Sequence, residues 1–221
     1  SSDLESAVKQ HPAYAAAKAG DDEAARALVD DTVSQTAVDQ IASIIGGAHP
    51  YLASAHAFES HGVNAIPEAL ADKLGDMLGL DVERAIVQAN VVGHTGANGF
   101  VRLSRQAVFQ GSVIAGATYF VVDDFIGQGG TRANLRCFIE IEGGKVLGAT
   151  GGTGKPCAAK ISLDLEQLRL LRAKHGQDLE DWWQDRFGHA FDCLTQSEAR
   201  YLERTENADI IRDRIAAQEQ G

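Results

Sequence analysis

Residues 119–131 read Tyr119-Phe120-Val121-Val122-Asp123-Asp124-Phe125-Ile126-Gly127-Gln128-Gly129-Gly130-Thr131. An apolar run with two β-branched residues suits a parallel strand buried on both faces. In open α/β sheets, ligands bind beyond the carboxyl ends of such strands. Asp123 and Asp124 stand at that end. Ionised carboxylates accept hydrogen bonds from neighbouring hydroxyls, so the pair suits a vicinal diol. The glycine-rich turn offers backbone N–H groups, the Thr131 hydroxyl and a helix amino terminus to a phosphate. Together, diol and phosphate point to a ribose 5-phosphate.

The stretch resembles the diphosphoribosyl-binding signature of type I phosphoribosyltransferases: four apolar residues, two acids, an apolar pair and a small-residue loop closed by Gly-Gly-Thr. The resemblance covers roughly residues 50–155. It implies an α/β fold with a parallel sheet flanked by helices, carrying helical additions at both ends. It also implies that Asp123 and Asp124 hold the ribose hydroxyls, while Gly127, Gln128, Gly129, Gly130 and Thr131 wrap the 5-phosphate.

Upstream elements follow the order that family requires. Residues 50–53 suit a short strand, and Ile66, Leu70, Leu74 and Leu78 place one apolar face on a helix over 66–78. Ala85-Ile86-Val87 suits a second buried strand. His56 to Gly62 falls where the family has its diphosphate loop, which implicates Glu59, Ser60 and His61 in substrate binding. The loop departs from the family pattern, because it holds an acid where a basic residue is common. Residues 92–111 fall where the family has a mobile lid. Arg102 and Arg105 lie there, and their guanidinium forks suit diphosphate oxygens.

Gly127 replaces the aspartate often found in enzymes acting on 6-oxopurines, so the loop is nearer the adenine or xanthine type. Ala149 to Pro156 invites comparison with a nucleotide P-loop. Ala149 replaces the first glycine of that motif and Pro156 its hydroxyl residue, so Lys155 is read as lying in an ordinary strand-end loop.

The chain therefore divides into a helical segment over 1–48, a core over 49–156 and a helical extension over 157–221, all in one compact unit. Residues 21–45 carry a long helical pattern, and Trp182 and Trp183 suit core anchors that tie the extension to the sheet. Thr195-Gln196-Ser197-Glu198 has the form of a capping box opening a helix to about Ala217.

The 221 residues are 44% hydrophobic, enough for one substantial core. With 20 basic and 31 acidic residues and a net charge of −11, broad attraction to nucleic acid is not expected. No apolar run approaches a membrane span, and a cytoplasmic location is expected. Cys137, Cys157 and Cys193 lack metal-binding spacing and are read as reduced thiols.

What the resemblance implies as function is a pentosyltransferase moving the 5-phosphoribosyl group to a nucleobase-like nitrogen acceptor, with a lean to purine. Asp123, Asp124, Arg102 and Arg105 would serve catalysis, and Mg²⁺ would arrive with the diphosphate substrate. The partners would be phosphoribosyl diphosphate, a nucleobase or nucleotide, and a second copy of the chain in a homodimer. The alternative is a non-catalytic regulator that binds phosphoribosyl diphosphate or a nucleotide and signals through its helical tail.

Overall fold

In the computed structural model, residues 8–56, 64–90, 99–124, 129–151 and 162–218 are described. The 119–131 stretch begins as anticipated: β5, Thr118–Asp123, is one of the two inner strands of a four-stranded sheet. Its neighbours are β1 (Tyr51–Ser54) and β6 (Lys145–Gly151), and β2 (Val82–Glu83) lies outside β1. All three pairings are parallel, with Leu52 opposite Phe120 and Ser54 opposite Val122. The strand carboxyl ends thus gather at one edge.

Period-two alternation sends the side chains of β5 to two different cores. Phe120 and Val122 join Leu52, helix α4 (Ile66–Leu78) and the amino-terminal helices. Tyr119 and Val121 pack with Ala53 and with Leu135 and Ile139 of α6 (Gly130–Ile141). All four of these β5 residues are fully buried. Each large apolar side chain so enclosed contributes about 1.5–3 kcal/mol.

The amino-terminal pattern resolves into α1 (Tyr14–Lys18), α2 (Asp22–Thr32) and α3 (Gln35–Ile45). The single long helix expected over 21–45 is interrupted because Val33 and Ser34 are extended. The Ser34 hydroxyl then caps α3 by accepting from the Ala37 N–H. Ala85-Ile86-Val87 also departs from expectation. The strand beside β1 is β2, whereas β3 (Val87–Gln88) pairs antiparallel with β4 (Phe109–Gln110) in a separate ribbon.

The carboxyl-terminal part has a core of its own. It contains α7 (Leu165–His175), α8 (Gln177–Phe187), a 3₁₀ turn (Phe191–Cys193), α9 (Gln196–Arg204) and α10 (Ala208–Ala217). The Thr195–Glu198 capping box forms, but the helix it opens stops at Arg204 and restarts after the Asn207 cap. Trp183 lies at the centre of this core, together with Leu171, Leu179, Leu202 and Ile211. It anchors the tail to itself, not directly to the sheet as expected. Leu103, on α5 (Gly99–Ser104), belongs to the same cluster.

Three connections from α6 hold the tail against the sheet unit. Cys137 is disulfide-bonded to Cys193, with their Cα atoms 5.6 Å apart. Arg136 Nη2 donates to the Asp192 carbonyl at 2.7 Å. Glu198 packs against Gly130. The bond between Cys137 and Cys193 corrects the expectation of reduced thiols for these two, Cys157 lying outside the described residues: two cysteines 56 residues apart meet only because α6 and the 3₁₀ turn are neighbours.

Candidate functional site

The carboxyl end of β5 meets the amino end of α6. Gly129 is the N-cap of α6 and has φ +82°, a left-handed conformation that glycine adopts without Cβ strain. It has no side chain with which to cap the first N–H groups of the helix. Arg132, one turn in, is 4% exposed. Its Nε is buried without a hydrogen-bond partner among the described residues, and its Nη2 lies 3.3 Å from where a Cβ on Gly129 would stand. A buried guanidinium with an unmet donor is costly unless an acceptor arrives.

The two acids occupy different environments. Asp123 has its carboxyl pKa held well above the ordinary carboxylate range, first by desolvation and then by the neighbouring Asp124; the Arg132 guanidinium opposes the shift. One of its oxygens accepts the Asp124 backbone N–H at 2.8 Å. Asp124 is buried, and its Oδ2 accepts from Lys18 Nζ and from Asn64 Nδ2, each at 2.6 Å. The expected pair of open acids is therefore one carboxyl whose pKa burial raises and one already engaged by Lys18 and Asn64. An amino-terminal lysine and an asparagine at the start of α4 take the place assigned to sugar hydroxyls.

The other anticipated residues are distributed as follows. Glu59, Ser60 and His61 lie outside the described residues, as do Gly127, Gln128 and Lys155. Gly129, Gly130 and Thr131 open α6. Arg102 sits on α5 and Arg105 is exposed just beyond it, while Leu103 between them is fixed in the tail core. The guanidinium whose charge reaches Asp123 is that of Arg132. His56 turns back on its own strand, with Nδ1 2.8 Å from the Ser54 hydroxyl.

The sequence pattern did not single out Lys18, Asn64 or Arg132 for this edge, and it marked Glu198 only as a capping-box residue. Arg132 had a usable signal, because a basic residue in the first turn of a helix is unfavourable beside the macrodipole and calls for a reason. Lys18 and Asn64 had none, being 106 and 60 residues from their partner. Gly130 has a second explanation besides phosphate access: a Cβ there would come within 2.6 Å of Glu198 Oε1.

The fold and this edge define an α/β protein with a four-stranded parallel sheet, helices on both faces and a polar cluster at the strand ends. The chain is 42% identical over 210 residues to Protein TraN of Escherichia coli, a match spanning 95% of the chain and 47% of TraN. It is 38% identical over 129 residues to an uncharacterized protein of Haemophilus influenzae, spanning 58% of the chain and 29% of that protein. The chain therefore spans about half the length of TraN and under a third of the other curated relative. No protein-family model and no solved structure matches it.

The similarity to TraN overturns the functional expectation. A relative matching 95% of the chain is Protein TraN, not a phosphoribosyltransferase. The assignment as a transferase of nucleotide metabolism is withdrawn, together with its phosphoribosyl diphosphate-binding alternative. The local physical reason is visible at Asp124, whose carboxylate is satisfied within the protein. Among the described residues no helix is long and apolar enough to cross a membrane.

Proposed function

We propose that the chain is a binding module for a small anionic ligand, received where the carboxyl edge of the sheet meets the amino end of α6. Binding, without group transfer, is the reading that the residues support best. The observation carrying it is Arg132, a buried guanidinium whose Nε has no partner among the described residues, beside a helix start that has no side-chain cap. Helix N–H groups and the positive end of the macrodipole favour an anion there, and a guanidinium adds a charge-assisted donor. Lys18 adds a cation at the rim, where its side chain is 40% exposed.

A protein with a net charge of −11 attracts anions poorly over its surface, so a site for one must concentrate donors locally. The strand order, with two acids at the end of β5, supports a scaffold like that of type I phosphoribosyltransferases. A fold of this kind carries no activity with it. The matched part of TraN would share the module.

Arg132→Gln is expected to weaken binding of inorganic phosphate by about tenfold or more, the loss of one charge-assisted contact. Isothermal titration at fixed ionic strength measures it, with thermal melting confirming that the variant is folded. Equal affinity in a folded variant would remove Arg132 from the site. Asp124→Asn tests the neighbouring cluster: it leaves Lys18 without its carboxylate and is expected to cost about 1–3 kcal/mol in stability. A denaturant titration of parent and variant reads that difference directly, and no change would mean that the Lys18 contact is held by solvent.

A further inference from the structure

We infer that Glu198 of the helical tail is an internal anion that gates the amino end of α6, its carboxylate lying across the approach to Gly130 and giving way when an external anion binds. The inference rests on the anion-site reading above and adds its regulation.

The geometry begins with the capping box. Glu198 Oε2 accepts from the Thr195 N–H and from the Thr195 hydroxyl, both at 2.8 Å, while Thr195 Oγ1 accepts the Glu198 N–H at 3.1 Å. That leaves Oε1 with no part in the cap. It faces Gly130, close enough that a Cβ on that residue would lie 2.6 Å away, and the Thr195 methyl lies 3.5 Å from the corresponding point on Gly129. The Thr195–Glu198 corner therefore packs against the side of Gly129 and Gly130 on which a Cβ would stand, at the start of α6.

Electrostatics give this corner a reason to stay and a reason to leave. Glu198 is buried, and among the described residues no Lys or Arg forms an ion pair with it. The nearby positive element is the α6 amino terminus, whose macrodipole favours a carboxylate. Burial raises the Glu198 carboxyl pKa, with the Thr195 hydrogen bonds opposing the shift, so this carboxylate is held out of water at a cost. A second anion at the same helix end would meet a like charge with little solvent between them, and like charges in such surroundings repel strongly. Ligand entry therefore requires Glu198 to be neutralised or displaced.

The corner is also tied to the helix it packs against. Cys193, two residues before Thr195, is bonded to Cys137 of α6, and Asp192 accepts from Arg136. Displacing Glu198 therefore pulls on a tail whose hydrophobic core is separate from those of the sheet. This gives ligand binding a mechanical route to α9.

Glu198→Gln tests the gate with the cap preserved, since glutamine serves at the third position of a capping box as glutamate does. The probe is inorganic phosphate at constant ionic strength, titrated into the full chain as parent, Glu198→Gln, Arg132→Gln and the Glu198→Gln, Arg132→Gln double variant. The expected result is affinity about tenfold or more tighter in Glu198→Gln than in the parent, with the gain lost in the double variant. Glu198→Asp retains the charge but withdraws it by one methylene, and it also is expected to bind more tightly than the parent. This second variant decides the matter if the glutamine protein melts early.

Parent-like affinity in folded Glu198→Gln, together with weakened binding in Arg132→Gln, would overturn the gate and leave the anion site standing. Absence of phosphate binding in the parent and in both Glu198 variants would overturn the site itself and the gate with it.

Discussion

Trp183→Ala is expected to lower stability by about 3–5 kcal/mol, the range for deleting a large aromatic side chain from a packed core. Trp183 is completely buried, and its ring centroid lies 4.5 Å from that of Phe187 and 5.8 Å from that of Phe191. Around it stand leucines from α5, α7, α8 and α9, so no single neighbour can collapse into the space left behind. The tail's core is separate from the two beneath the sheet, and the loss should therefore unfold the tail first.

Far-ultraviolet circular dichroism during heating, combined with limited proteolysis, reads this as early loss of helix and cleavage after residue 162. Trp183→Phe is expected to cost much less, about 1–2 kcal/mol, because it keeps most of the apolar volume. The indole Nε1 has no hydrogen-bond partner among the described residues, so phenylalanine forfeits none there. A single cooperative transition in Trp183→Ala, shifted as a whole, would show that tail and sheet unfold together.

Removal of the Cys137–Cys193 bridge is the second large effect expected. Its 56-residue separation gives a loop-closure contribution of about 4 kcal/mol, with measured values for disulfides typically 2–4 kcal/mol. Replacing both cysteines with serine should lower the denaturation midpoint accordingly. Reductant should lower the midpoint of the parent but leave that of the double variant unchanged. The contact of Arg136 with the Asp192 carbonyl survives in both and should keep the corner near α6 once the chain is folded. Equal midpoints under both conditions would mean that the bridge constrains a denatured chain already compact there.

The stretch 119–131 determined a great deal by itself. Four consecutive buried positions in β5 require apolar residues on both faces, and that demand is written locally as Tyr119-Phe120-Val121-Val122. Ile66 to Leu78 was legible for a similar reason, since a 3.6-residue period in apolar side chains is local information. The capping box at Thr195 was also legible, because both of its bonds span only three residues. Helix ends were less so: the break at Val33-Ser34 depends on a backbone turn that the continuing apolar period conceals.

Tertiary structure alone decided what the polar residues do. Asp123 and Asp124 are adjacent and chemically identical in sequence, but burial raises the carboxyl pKa of one while the other is claimed by Lys18 and Asn64. The bond between Cys137 and Cys193 and the contact of Glu198 with Gly130 likewise join residues far apart in the chain. Local pattern encodes which face of an element avoids water. The protonation, pairing and accessibility of a charged group depend on the field and packing of whatever the fold brings beside it, and that information exists only once the chain has closed on itself.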